Sequence, residues 1–301
     1  MAIETLRTPE ERFAVLPGYP YPPSYFDDLS GYESLRMAYV DTGPADAENV
    51  FLCIHGEPTW GYLYRKMIAV FAAAGHRSIA PDFFGFGRSD KPIDDAVYTF
   101  SFHRESLLRL IERLDLRNIT LVCQDWGGIL GLTLPVEMPD RFSRLLLMNT
   151  ALPVGKPISN GFATWKGFAA MVPEIPTGGL VASDVRDAMN VLDVVAYEAP
   201  FPDNRFKAGV RRFPQLVPVE PEMPGIRECE RAREFYSSEW GGESFMAVGL
   251  RDMVLGEPVM AELRSVIKGC PEPMLIEEAG HFVQEYGGPV AERALKHFGL
   301  D

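Results

Sequence analysis

Cysteine is scarce in this chain. There are four residues (Cys53, Cys123, Cys229 and Cys270) among 301, with no CxxC spacing and no clustered histidine nearby. That excludes a disulfide scaffold and a thiol-based zinc site, and it fits free thiols in a reducing cytoplasm. Positive charge is also short: Lys and Arg number 29 against 42 Asp and Glu, a formal net charge of −13. Without a basic stripe to neutralise phosphates, nucleic acid is excluded as a partner. No apolar run approaches the ~20 residues of a membrane-spanning helix. The first residues, 1–13, are acidic and lack the apolar stretch of a secretory signal, so a cytoplasmic protein is expected. Internal repeats, low-complexity segments and any sign of an obligate protein partner are missing as well.

What the chain has is apolar material, 47% of its residues, enough for a sizeable core. Apolar runs predict strands over 35–40, 50–54, 77–81, 119–123 and 145–148, separated by helical spacing over 62–74, 102–114 and 127–138. The alternation resumes late, with strands over 245–248 and 274–276 and helices over 259–267 and 289–298. This order predicts a mostly parallel sheet with helices on both faces. Between Asn149 and Phe245 the pattern breaks, over a span too long for an unstructured loop in a compact domain. The span is rich in Pro, Phe and Met, with helical spacing over 183–195 and 224–236. It reads as a helical lid over 151–223, inserted into a core made of 1–150 and 224–301. The lid is expected above the carboxyl ends of the strands, where open α/β sheets bind ligands.

Asp125 stands between the predicted strand 119–123 and the helix after it, with Gly127 and Gly128 just beyond. A strand, a sharp turn and a helix with glycines beside the turn make a nucleophile elbow, which lifts one side chain above the sheet. A carboxylate there is ionised at neutral pH and attacks a tetrahedral carbon without a base to activate it. The product is an ester whose carbonyl belongs to the enzyme. Asp125 also reads as a helix cap, but a cap does not require the glycines beyond it. Trp126 follows directly, and its indole N–H, a donor with no acceptor, suits a departing halide.

Five histidines compete for the role of base. His55 lies in a turn and is expected to hold it; His76 and His103 flank helix ends at the surface; His297 lies on the last helix, facing solvent. His281 follows the 274–276 strand and the turn Glu278-Ala279-Gly280, above the sheet at its carboxyl end. The order nucleophile, acid, histidine is the hydrolase order. Asp252, after the 245–248 strand and Gly249-Leu250-Arg251, is placed to accept from one imidazole nitrogen; its competing reading is a helix cap. The other position for this acid holds Asn149, which cannot carry a negative charge.

Three stretches carry a family resemblance: His55-Gly56-Glu57-Pro58-Thr59-Trp60, Asp82-Phe83-Phe84-Gly85-Phe86-Gly87-Arg88-Ser89-Asp90-Lys91-Pro92, and Gln124-Asp125-Trp126-Gly127-Gly128. Together with His281-Phe282 they resemble the haloalkane dehalogenases, in the branch with a Glu in this loop and two halide-binding tryptophans. The first two stretches occur in many α/β-hydrolases; the Gln-Asp-Trp-Gly run with Glu57 is the specific part. The Gly85-Phe86-Gly87 pair lacks the third glycine of a dinucleotide loop.

The resemblance implies an α/β-hydrolase fold, no cofactor or metal, a small apolar halogenated substrate, and halide, alcohol and a proton as products. It assigns Asp125 as nucleophile, His281 as base and Asp252 as the acid orienting it. The backbone N–H groups of Glu57 and Trp126 form the oxyanion hole. It places a second halide-binding indole in the lid, where Trp165 is the one tryptophan; the other reading of Trp165 is an apolar anchor docking the lid. Trp60 and Trp240 are expected to be packing residues. The Glu57 carboxylate is expected to point away from the halide, since like charges repel strongly in low dielectric. Ile129, Phe162, Phe168, Phe213, Pro214 and Val217 are candidate pocket walls, though such residues are as often plain core. An epoxide hydrolase is the nearest rival, but it needs a pair of lid tyrosines, and Tyr197 is the one tyrosine between 151 and 223. A non-enzymatic receptor or scaffold of the same fold is the rival from another class.

Overall fold

The computed structural model describes residues 3–185 and 188–301. Eight strands form one sheet: β1 (Pro23–Phe26), β2 (Met37–Thr42), β3 (Val50–Ile54), β4 (Arg77–Pro81), β5 (Ile119–Cys123), β6 (Phe142–Met148), β7 (Glu243–Gly249) and β8 (Met274–Ile276). Their order across the sheet is β8-β7-β6-β5-β3-β4-β2-β1. From β3 to β8 every pairing is parallel; β2 runs antiparallel to β4, and β1 antiparallel to β2.

The central strands β3 and β5 are apolar at nearly every position and buried throughout, as strands covered on both faces must be. Alternate residues feed two separate cores. Leu52, Ile54, Leu121 and Leu145 pack with α2 (Phe100–Arg113), α3 (Trp126–Gly131), α8 (Ile226–Ser238) and α9 (Glu257–Val266). Phe51, Cys53, Val122 and Leu146 pack with α1 (Arg65–Ala73) and α10 (Gly287–Phe298). Side chains that alternate across the pleat thus fix which helices lie on which face.

Four more helices are inserted between β6 and α8: α4 (Asn160–Met171), α5 (Thr177–Val185), α6 (Val191–Glu198) and α7 (Ala208–Leu216). They pair as α4 with α7 and α5 with α6. Ser159 opens α4 by accepting the Phe162 N–H, and Asn190 and Asp193 form a reciprocal cap on α6.

Several expectations need correction. The helix after the elbow ends at Gly131 rather than continuing to 138. Pro135 cannot donate to Gly131, and its ring would collide with that carbonyl. The helix expected over 183–195 is two, α5 and α6, and residues 186–187 of that span lie outside the described residues. β1 was not expected, nor was the short antiparallel pairing of Thr5–Leu6 with Lys91–Pro92. His103 is not at the surface. It is fully buried on α2, its ring against Phe83, Tyr98 and Phe213, and burial pushes its pKa down to about 3. No helix among the described residues is long and apolar enough to cross a membrane.

Candidate active site

β5 ends at Cys123, and the chain turns sharply through Asp125, whose φ of 51° and ψ of −127° lie outside the regions open to most L-residues. Such a conformation persists only where its surroundings over-determine it. Asp125 donates its N–H to the Asn149 carbonyl at 3.0 Å, and its own carbonyl accepts from the Thr150 hydroxyl at 2.8 Å. The glycines beyond it are sterically required. A Cβ on Gly127 would lie 1.9 Å from the Ile54 carbonyl oxygen, and one on Gly128 would lie 2.1 Å from Thr150 Oγ1. Gly56 lets the preceding loop approach from the other side, since a Cβ there would stand 2.5 Å from the Asp125 side chain. Asp125 precedes α3, yet its side chain makes no cap hydrogen bond to that helix. Instead Oδ1 accepts the backbone N–H of Glu57 at 2.8 Å.

His281 Nε2 is 3.5 Å from Asp125 Oδ2, and Nδ1 is 2.8 Å from Asp252 Oδ2. Asp252 is buried and also accepts from Asn149 Nδ2 at 2.8 Å and from the Val254 N–H at 2.7 Å. The helix after it starts from Gly256, so Asp252 does not cap it. Burial alone would raise the Asp252 pKa, but His281 and these donors outweigh it and hold the group below its usual range. Burial likewise disfavours the charged imidazolium of His281. The carboxylates of Asp252 and Asp125 override that and hold its pKa well above the ordinary value.

His55 Nε2 accepts the Phe83 N–H at 3.0 Å, which leaves Nδ1–H to donate to the Gly56 carbonyl at 2.8 Å. Burial lowers its pKa to about 4, so it is a neutral brace for the 55–60 loop. Trp60 and Trp240 are buried, with their indole N–H groups on Ala196 O and Ser244 Oγ.

Asp125, His281, Asp252, Glu57, Trp126 and Ile129 line the floor of a cavity of about 250 Å³. Its roof comes from the inserted helices, with Phe162, Trp165, Leu180, Asp184, Pro214 and Val217. Trp126 is 3% exposed and Trp165 half-buried. Among the described residues no protein acceptor takes either indole N–H.

The surroundings of Glu57 do not favour the ionised form that the sequence reading assumed. Glu57 is 5% exposed and lines the cavity, and its Oε1 is buried with no hydrogen-bond partner among the described residues. Burial, and then the neighbouring charge of Asp125, hold its pKa well above the carboxylate range. The expected repulsion of halide presupposed an ionised group, whereas this environment favours the neutral carboxyl, which has an O–H to donate.

Two candidate wall residues lie elsewhere. Phe168 is 42% exposed and borders a shallow groove on the outer side of Trp165. Phe213 is fully buried behind the wall, its ring 4.9 Å from that of Trp126. Leu180, Asp184 and Met253 line the cavity without having been singled out from sequence; no motif marks them. The lid tyrosine, Tyr197, does not reach the cavity: it is buried, and its hydroxyl donates to Glu285 at 2.5 Å.

Residues 49–288 match the α/β-hydrolase fold family. A haloalkane dehalogenase of Psychrobacter cryohalolentis is 43% identical over 98% of both chains, and one of Mycobacterium marinum is 40% identical over 97% of this chain and 99% of its own. Among solved structures, a haloalkane dehalogenase of Paraglaciecola agarilytica NO2, described as tetrameric, is 62% identical over 98% of both chains, with a TM-score of 0.96. The elbow carboxylate, the histidine above it and the full-length identity converge on one conclusion: this chain belongs to the haloalkane dehalogenases of the α/β-hydrolase superfamily and is a hydrolase acting on carbon–halide bonds.

Proposed function

We propose that the chain converts small haloalkanes to alcohol, halide and a proton through a covalent ester on Asp125, with residues 151–223 acting as a cap. Asp125 attacks the halogen-bearing carbon from behind; the new C–O bond forms as the carbon–halogen bond breaks, and the halide leaves with the bonding pair. The indole N–H groups of Trp126 and Trp165, both on the cavity wall and without protein acceptors among the described residues, stabilise the charge that gathers on the halogen. Apolar walls exclude water and strengthen these donors. The neutral Glu57 carboxyl removes a repulsion that an ionised one would impose.

Alkylation turns Asp125 from a carboxylate into a neutral ester, and His281 loses one of the two charges that hold its proton. Its pKa falls, the proton departs, and Nε2 becomes a base. A water molecule then attacks the Asp125 carbonyl carbon and gives its proton to His281, while the Glu57 and Trp126 N–H groups hold the oxyanion. Collapse of the tetrahedral adduct releases the alcohol and restores the carboxylate. Asp252 keeps the tautomer and stabilises the imidazolium.

The observation that carries this reading is a carboxylate, in place of a hydroxyl, at the elbow and 3.5 Å from His281. The test is release of halide and alcohol from a panel of chloro-, bromo- and iodoalkanes, with an epoxide alongside. Equimolar halide and alcohol from the panel are expected. Turnover of the epoxide alone would replace the reading with epoxide hydrolysis, for which the burial of Tyr197 away from the cavity leaves no tyrosine pair.

A further inference from the structure

The turn that carries His281 is held by the inserted helices as well as by the core. Asp184, on α5, accepts the backbone N–H of Phe282 at 3.0 Å, one residue beyond His281. It also packs on the residue before: a Cβ on Gly280 would lie 2.1 Å from Asp184 Oδ1. The core contributes Gln124, whose Nε2 donates to the His281 carbonyl at 3.1 Å. Further along, the Tyr286 hydroxyl donates to the Val185 carbonyl at 3.1 Å, and Tyr197 of α6 donates to Glu285. Asp184 lines the cavity, so it touches the base's backbone on one side and the reaction space on the other. Among the described residues it makes no hydrogen bond to Asp125, whose geometry is fixed from the core by Glu57, Asn149 and Thr150.

We infer that Asp184 is a positioning residue for the second half-reaction, a carboxylate from the inserted helices that fixes the 280–282 backbone so that His281 Nε2 stays over the ester. This rests on the two-step reading above. The first step needs only Asp125 and the halide donors, and among the described residues Asp184 makes no hydrogen bond to Asp125, so removing it should disturb the first step far less than the second. The second needs the imidazole placed against a water and a carbonyl carbon, where a misplacement of about 1 Å costs on the order of a hundredfold.

The test is rapid mixing of the parent, Asp184→Ala, Asp184→Asn and Gly280→Ala with a bromoalkane, following the bromide burst and the covalent mass on Asp125 separately. Asp184→Ala removes a charge from the cavity wall and should share any change in burst rate with Asp184→Asn, but it should then lose the ester about ten- to a hundredfold more slowly than the parent. Gly280→Ala, which drives a methyl into the Asp184 carboxylate, should behave alike. Asp184→Asn retains an amide oxygen for the Phe282 N–H and should recover most of the second step. Burst amplitude counts folded sites, so the decay is read per alkylated site. Ester loss at the parent's rate in Asp184→Ala overturns the inference. So does equal slowing of both steps, an absent burst, or an Asn variant as slow as the Ala variant. A parent that releases no halide instead overturns the two-step reading itself.

Discussion

His281 Nε2 and Asp125 Oδ2 stand 3.5 Å apart, with the Asp252 carboxylate behind the ring at 2.8 Å. Two carboxylates around one imidazole hold its pKa well above the ordinary value despite burial, and the proposed alkylation of Asp125 would remove one of them. His281 should therefore titrate at lower pH in the alkylated protein than in the free one. Ester hydrolysis, which needs the neutral ring, should rise with pH and level off below the pH at which the free protein's His281 deprotonates. NMR titration of the ring in both states checks this; an unchanged midpoint would mean that Asp125 contributes nothing to holding the proton.

His281→Gln should separate the two proposed steps. An ionised carboxylate needs no base to attack, but water does. One equivalent of halide and a lasting covalent mass on Asp125 are expected after mixing with a bromoalkane. If neither appears, His281 serves the first step.

Trp165→Phe keeps most of the ring packing and removes the N–H. A hydrogen bond to a charged group contributes about 1.5–3 kcal/mol, roughly one to two decades in rate. Carbon–halogen cleavage should slow by about that factor, with weaker bromide binding and less quenching of tryptophan fluorescence by halide, at little change in thermal stability. A destabilised variant that cleaves at the parent's rate would make Trp165 an anchor of the cap.

Glu57 predicts a signature in stability against pH. Its folded pKa is raised above the unfolded value by burial and by Asp125. Its contribution is therefore complete below the unfolded pKa of about 4.3, and it is lost as pH climbs from there through the folded value. Glu57→Gln cannot ionise and does not incur this loss. The melting temperature of the variant relative to the parent should increase as pH is raised from 4 upward; a difference that stays flat with pH would show that the carboxyl is not held neutral.

Arg65 on α1 lies between Glu285 (2.7 Å) and Asp193 of α6 (3.0 Å), all three buried, with Lys66 also 2.9 Å from Glu285. Replacing Arg65 with Met leaves buried carboxylates short of their main counter-charge, a loss of about 3–5 kcal/mol. A lower urea midpoint at constant slope would register it. An unmoved midpoint would show that Lys66 and Tyr197 suffice.

Much of this was legible in the sequence, for identifiable reasons. Strands buried on both faces read as unbroken apolar runs, so β3 and β5 could be placed to the residue. Asp125 stood out because an elbow needs glycines at fixed offsets, and chain order pointed to Asp252 and His281. The misses have equally definite causes. β1 is an edge strand that opens on a proline and is only half-buried, so it carries no apolar run. Phe168 and Phe213 differ in burial because α4 and α7 pack on each other, and tertiary packing is not written in residue type. The raised pKa of Glu57 could not be read at all, since ionisation depends on burial and neighbours rather than on identity. Asp184 lacked any signal beyond the bareness of Gly280.

The close approaches at Gly56, Gly127 and Gly128 divide the cavity by how freely it can vary. No side chain can be added at those three positions without displacing backbone, a threonine side chain or Asp125 itself, so the glycines that shape the elbow are closed to substitution. Leu180, Phe162, Pro214 and Val217 in the roof present only apolar surface to the substrate. Apart from Trp165 and Asp184, the roof can change size without touching the reacting groups. Substrate range can thus drift, or be redirected by saturating a few roof positions, while the reaction itself stays fixed.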